Sequence, residues 1–299
     1  MNTSMAAIFP GFNRHRIRTA GAEINVRRGG EGPPLLLLHG FPQTHVMWHR
    51  IAPALAKRFT VVLADLRGYG DSSKPPSTPD HAAYSKRAMA QDMVDVMAQL
   101  GWTSFAVIGH DRGARVAYRM AFDHPHSVTK LGVLDVVPTY TIWSRMDMRS
   151  ALTTYHWLFL AQPDGLPETL IGADPEYYLR ETLRRWADRP DAFDPDAMAE
   201  YVRCFSDSAA IHAACEDYRA GASLDFEHDK ADYGRRKITC PVLALWGQRG
   251  FAKGNDDVDD PIAVWREWAD DVRGHGVRCG HFLAEENPDD TLRALENFL

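Results

Sequence analysis

The segment Phe105-Ala-Val-Ile-Gly-His-Asp-Arg-Gly-Ala-Arg115 constrains this chain more than any other stretch. Phe105 to Ile108 reads as a short buried strand, and the residues beyond the turn begin a helix that runs to about Asp123. Gly109 stands two residues before Asp111 and Gly113 two after it. That is the spacing of a nucleophile elbow, a strained strand-to-helix turn at which glycines let the backbone approach closely. Serine is usual at the centre of such a turn; this chain has aspartate. A carboxylate nucleophile attacks saturated carbon or an epoxide and forms an ester, so the residue type selects the chemistry. Arg112 and Arg115 lie three apart on the first helical turn and share one face. With the helix N-terminus they offer a site for an anion. A plainer reading keeps the strand and the helix and makes Asp111 only an N-cap.

Composition narrows the function classes. The 299 residues suffice for one large domain or a core with an insertion. Net charge is −6, with acids and bases interspersed, which argues against a nucleic-acid or anionic-membrane surface. An anionic substrate must then be drawn in by locally placed arginines. Met1 to Arg18 has no apolar run of signal-peptide type, and no stretch approaches 18 uninterrupted apolar residues. Cys204, Cys215, Cys240 and Cys279 are scattered, so reduced thiols are expected. Zinc-ligand spacing and a G-x-x-x-x-G-K-[ST] loop are both missing. The expectation is a cytoplasmic protein with no metal and no bound cofactor.

Along the chain, Glu23 to Arg27 reads as an early strand. Leu35-Leu-Leu-Leu38 is a continuous apolar run of the kind found in central parallel strands, and it ends in His39-Gly-Phe-Pro42. That loop can turn the Phe41 N–H toward the elbow, where it and the Arg112 N–H would form an oxyanion hole. A helix is expected from about Trp48 to Arg58, a strand over Thr60 to Asp65, and a helix from Tyr84 to Leu100. Met89, Met93 and Met97 then fill the core. Val128 to Leu134 and Val242 to Gly247 read as further strands, Gly276 to Cys279 as the last. Helices are expected at Ile262 to Ala269 and Thr291 to Leu299. The alternation argues for a doubly wound, mostly parallel sheet. Between Thr139 and Arg236 that rhythm disappears and aromatics and short helical patterns take over. The expected organisation is a core of residues 1–138 and 237–299 with a helical cap at 139–236.

In such a sheet, residues far apart in sequence converge at one edge. His281 follows the last expected strand and is placed to act as general base on a water. The acid that orients it should follow a core strand. Asp135, after Val128 to Leu134, is the better candidate, and Asp256 is the alternative.

Gly-His-Asp-Arg-Gly-Ala-Arg, with His-Gly-Phe-Pro upstream and Gly-His-Phe near the C-terminus, resembles the haloacetate dehalogenases of the α/β-hydrolase superfamily. The resemblance runs over almost the whole chain. It implies an α/β-hydrolase fold with a helical cap inserted after the sixth strand. It implies hydrolytic dehalogenation of haloacetates, fluoroacetate to glycolate and fluoride, through an ester on Asp111. Asp135 would orient His281, and Arg112 and Arg115 would clamp the substrate carboxylate. His156 and Trp157 in Tyr155-His-Trp157, with Tyr218 in Glu216-Asp-Tyr-Arg219, would bind the halide, and Trp186 would line the pocket. Self-association into a homodimer is common among such enzymes and is expected. In related haloalkane dehalogenases and epoxide hydrolases a tryptophan commonly follows the nucleophile; Arg112 is a change toward an anionic substrate. The loop Phe251 to Asp260 finds no match. An epoxide hydrolase with the same Asp–His–Asp set, protonating its substrate from Tyr155 or Tyr218, is the nearest rival. A non-catalytic receptor for a small acid is a rival of another class.

Overall fold

Leu35, Leu36, Leu37 and Leu38 have no polar atom to leave in water beyond the backbone, and the fold buries all four completely. They form β3 (Pro34–Leu38), the middle of the sheet in a computed structural model that describes residues 8–251 and 260–299. Eight strands run in the order β1 (Asn13–Arg18), β2 (Glu23–Gly29), β4 (Thr60–Ala64), β3, β5 (Phe105–His110), β6 (Val128–Leu134), β7 (Val242–Gly247) and β8 (Val272–Val277). β1 and β2, and β2 and β4, pair antiparallel; every other neighbouring pair is parallel. The sheet is therefore mostly parallel.

Register brings the C-terminal ends of the central strands together. Leu38 pairs with Gly109, His110 with Leu134, and Leu134 with Leu245. Phe41, Asp111, Asp135 and the residues after Gly247 thus leave the sheet on the same edge. Ligands bind at such an edge in open α/β sheets. The helix Lys86–Gln99 buries Met89, Met93 and Met97, as its periodicity requires.

Between β6 and β7 lie eight α-helices, from Thr139–Ser144 to Leu224–Asp232, with a 3-10 turn at Pro190–Ala192 and no strand. Local chemistry starts several of them. Asp174 and Asp194 each precede a proline and accept backbone N–H groups of the next turn, so the cap residue and the proline agree on where the helix begins. No described helix is long and apolar enough to cross a membrane. All four cysteines are unpaired.

Two expectations change, and one strand is new. The segment 48–58 is not one helix: a 3-10 turn at His45–Trp48 and a short helix at Ala52–Leu55 share it, because Pro53 can only open a helix there. The last strand is Val272–Val277, earlier than Gly276 to Cys279. It lies on the sheet edge, and its alternating Arg273, His275 and two glycines leave it without an apolar run. β1 gave no signal, since Asn13 to Arg18 is an edge strand whose one buried residue is Ile17.

Candidate active site

The elbow is the first piece. Asp111 has φ +46° and ψ −118°, a conformation that costs a non-glycine residue about 1–3 kcal/mol and persists only where surroundings enforce it. The surroundings are tight. A Cβ on Gly113 would lie 2.3 Å from the His39 carbonyl oxygen, and one on Gly109 would lie 2.4 Å from the Gly113 carbonyl. The Asp111 side chain makes no capping bond to its own helix, Arg112–Asp123, so the plain N-cap reading fails. Its Oδ2 accepts the Phe41 N–H at 2.9 Å instead. Burial pushes this carboxyl up, but His281, His110, Arg112 and Arg115 together outweigh burial and hold it below the usual carboxylate range. Asp111 is ionised at neutral pH.

His281 comes next. Its Nδ1 donates to Asp135 Oδ2 at 2.6 Å, and its buried Nε2 has no partner among the described residues. With the proton on Nδ1, Nε2 presents its lone pair, the form a general base needs. Asp135 is held on both oxygens: Oδ1 accepts from Gly247 N at 3.0 Å and Oδ2 also from Phe251 N at 2.9 Å. Asp256, the alternative acid, lies outside the described residues. His110 Nε2 bonds the His281 carbonyl at 2.8 Å, and burial pushes its imidazole down to about 4, so it is neutral and donates that bond.

The two arginines do share a neighbourhood, but they are held differently. Arg115 donates Nη1 to the Val137 carbonyl and the Thr139 hydroxyl, and its buried Nε has no protein acceptor. Its guanidinium lies 4.5 Å from the Trp157 ring centroid. Arg112 gives Nε and Nη2 to Asp217, and its Nη1 is buried without a protein acceptor. Of the expected halide donors, Tyr218 Oη and His156 Nδ1 are buried without protein partners. Burial pushes the His156 imidazole down to about 3, so it stays neutral. Trp186 packs edge-on to His281 at 5.5 Å and 4.3 Å from His156, centroid to centroid. A cavity of about 370 Å³ is lined by Asp111, Arg115, His156, Trp157 and His281, among others. Arg112, Tyr218 and Trp186 are not part of its wall; Arg112 and Tyr218 are fully buried, the guanidinium 4.1 Å over the tyrosine ring.

A family model described as the alpha/beta hydrolase fold matches residues 33–288. The chain belongs to the alpha/beta hydrolase family. It is 47% identical to a fluoroacetate dehalogenase of Burkholderia sp, covering 98% of this chain and 95% of that one. It is 35% identical to a soluble epoxide hydrolase of Corynebacterium sp. (strain C12), covering 93% of each. A crystal structure of an alpha/beta hydrolase from Nostoc sp PCC 7120 superposes with a TM-score of 0.93 at 58% identity, over 96% of this chain and 97% of that one.

Two residues at the centre of this alpha/beta hydrolase carried no sequence signal of their own. Asp217 was only a neighbour of Tyr218, yet it takes two donors of Arg112. Phe251 opened a loop with no match, and that loop is described only at its two ends. Its N–H holds Asp135, and its ring lies 4.9 Å from His281 and 5.1 Å from Trp186. Tyr155, offered as a proton donor, is 41% exposed.

Proposed function

We propose that this alpha/beta hydrolase removes halide from haloacetates, fluoroacetate among them, through an ester on Asp111. The observation that carries the reading is a pair of buried guanidinium N–H groups, Arg115 Nε and Arg112 Nη1, without acceptors among the described residues, near an ionised aspartate that does not cap its own helix. A buried donor left unmet costs about 1–3 kcal/mol, and a small carboxylate supplies both the acceptor and the opposite charge. An Asp111 oxygen displaces halide from the α-carbon: a C–O bond forms, and the C–halogen bond breaks with its electron pair going to the halide. His156, Trp157 and Tyr218 supply three donors to the leaving halide, and donors that strengthen in the transition state raise the rate. His281 Nε2 then takes a proton from water, which attacks the Asp111 carbonyl carbon while the Phe41 and Arg112 N–H groups hold the oxyanion. The bond from the Asp111 carbonyl carbon to the glycolate oxygen breaks, His281 returns its proton to that oxygen as glycolate leaves, and the regenerated Asp111 carboxyl releases the second proton of the water. The likeness to the Burkholderia fluoroacetate dehalogenase supports this reading.

The likeness to a soluble epoxide hydrolase supports a second one, in which Tyr218 Oη would protonate the epoxide oxygen. A neutral epoxide leaves Arg115 Nε unmet, which weighs against it. The test is halide release from fluoroacetate and chloroacetate beside opening of a styrene-type epoxide, with a single turnover run in heavy-oxygen water. The expected result is fluoride and chloride release, with the label entering Asp111 first. Label passing directly into glycolate, or turnover of the epoxide alone, would defeat the proposal.

A further inference from the structure

We propose that Asp217 is the positioning residue of the acid-binding site, and that its grip on Arg112 sets the preference for a carboxylate over a neutral substrate of the same shape. The proposal rests on the dehalogenase reading above. Asp217 sits on the helix Ser208–Gly221, inside the helical segment, and is completely buried. Its Oδ2 accepts Arg112 Nε at 3.0 Å, its Oδ1 accepts Nη2 at 2.8 Å, and its backbone carbonyl accepts Nη2 again at 2.7 Å. One whole edge of the guanidinium is thereby consumed, and the donor left over is Nη1. The next residue, Tyr218, lies under the face of the same guanidinium, so Asp217 and Tyr218 fix Arg112 by edge and by face together.

The charges divide the same way. Arg112 is matched by Asp217, whose carboxylate Lys86 Nζ and the Tyr69 hydroxyl also hold. Arg112 and Lys86 keep that carboxyl ionised although burial pushes the other way. Among the described residues Arg115 bonds only neutral oxygens, Val137 O and Thr139 Oγ1. Of the two arginines, Arg115 is the one with no hydrogen-bonded carboxylate among the described residues, and Arg112 keeps one buried donor, Nη1, without a protein acceptor there. A guanidinium buried without Asp217 would be far costlier and free to take other rotamers. An amide at position 217 would turn a donor toward Arg112 and release it.

The experiment compares chloroacetate with chloroacetamide, an acid and a neutral isostere, in wild type, Asp217→Asn, Asp217→Glu and Lys86→Met. Loss of one charge-assisted bond predicts that Asp217→Asn lowers kcat/KM for chloroacetate about tenfold or more, chiefly through KM, with chloroacetamide little changed. Asp217→Glu keeps a buried charge for Lys86 but shifts the fork, so it lowers the acid-over-amide ratio in a chain that retains its ion pair. Lys86→Met removes another bond to Asp217 without touching Arg112, so it lowers the ratio less than Asp217→Asn does. The rise in Tm on adding acetate but not acetamide reads the same preference without turnover, and Asp217→Asn should abolish it. Equal losses on both substrates, or a ratio that falls as far in Lys86→Met, would make Asp217 a plain link between helical segment and core and overturn the proposal. A wild type that releases no chloride from either compound yet shows the acetate shift would instead overturn the reaction proposed above.

Discussion

Asp111 and His281 divide the proposed reaction between them, and the division can be separated experimentally. Asp111 is ionised and clear of its helix, so the first displacement needs no base. The second step needs the unpartnered Nε2 of His281, held in its tautomer by Asp135 at 2.6 Å. His281→Gln should therefore release about one halide per chain and then stop, with steady turnover down by a factor of about 10²–10⁴. Rapid-quench halide release and intact mass of the esterified chain check this; continued turnover at the wild-type rate would mean another base. At this scale the reactive groups were legible, because Asp111, Arg112, Arg115 and His281 sit in short motifs whose spacing carries the meaning. Asp217 was not legible. Its partner Arg112 lies 105 residues away, and an aspartate on a helix has many ordinary roles.

The elbow shows what the elements contribute. β5 and the helix Arg112–Asp123 can meet at so sharp a turn only because the first helical turn is pressed against β3. A methyl on Gly113 would come within 2.3 Å of the His39 carbonyl and 2.6 Å of the Leu38 carbonyl, both backbone atoms that cannot yield separately. Gly113→Ala should destabilise the fold by about 1–3 kcal/mol, the usual cost of overpacking, and should also displace Asp111. Urea unfolding read beside halide release tests both effects. A variant with wild-type midpoint and activity would show that this contact is loose. The interior parallel strands were readable because they are apolar on both faces. β1 was not, and β8 was placed too late, since an edge strand needs little apolar surface and its pairing is decided by the strand beside it.

For the whole molecule, the joint between core and helical segment sets a pH dependence of stability. Glu285 is buried between Gln43, in the loop after β3, and Tyr201 on the helix Pro195–Phe205. Burial pushes its carboxyl up to about 8, against the pull of Gln43, Tyr201 and Arg50. The unfolded chain releases that proton near 4.5, while the folded chain keeps it to about 8. The stability this group contributes is complete below 4.5, falls as pH rises, and is lost by about 8. His110 and His156 act in the opposite sense. Burial pushes them down to about 4 and about 3, so their contribution falls as pH drops below 6.5. Glu285→Gln should remove the alkaline decline, leaving the variant's Tm above wild type by several degrees at pH 9 but not at pH 5, at about 2–4 °C per kcal/mol. Thermal scans across that range check it. Parallel curves for the two proteins would show that Glu285 titrates normally.

The sequence by itself determined which reactive groups the chain owns and the order in which the fold meets them. The elbow is local chemistry, and so are the apolar strands that carry it. Only the tertiary structure decided which acid orients His281, which donor of Arg112 remains to be used, and that Asp111 accepts from Phe41 and does not cap its own helix. Those outcomes depend on where buried donors find acceptors, and the acceptors come from 70 to 146 residues away along the chain. Local periodicity specifies an element and its buried face; it cannot specify which distant carboxylate will complete a hydrogen bond once water is gone.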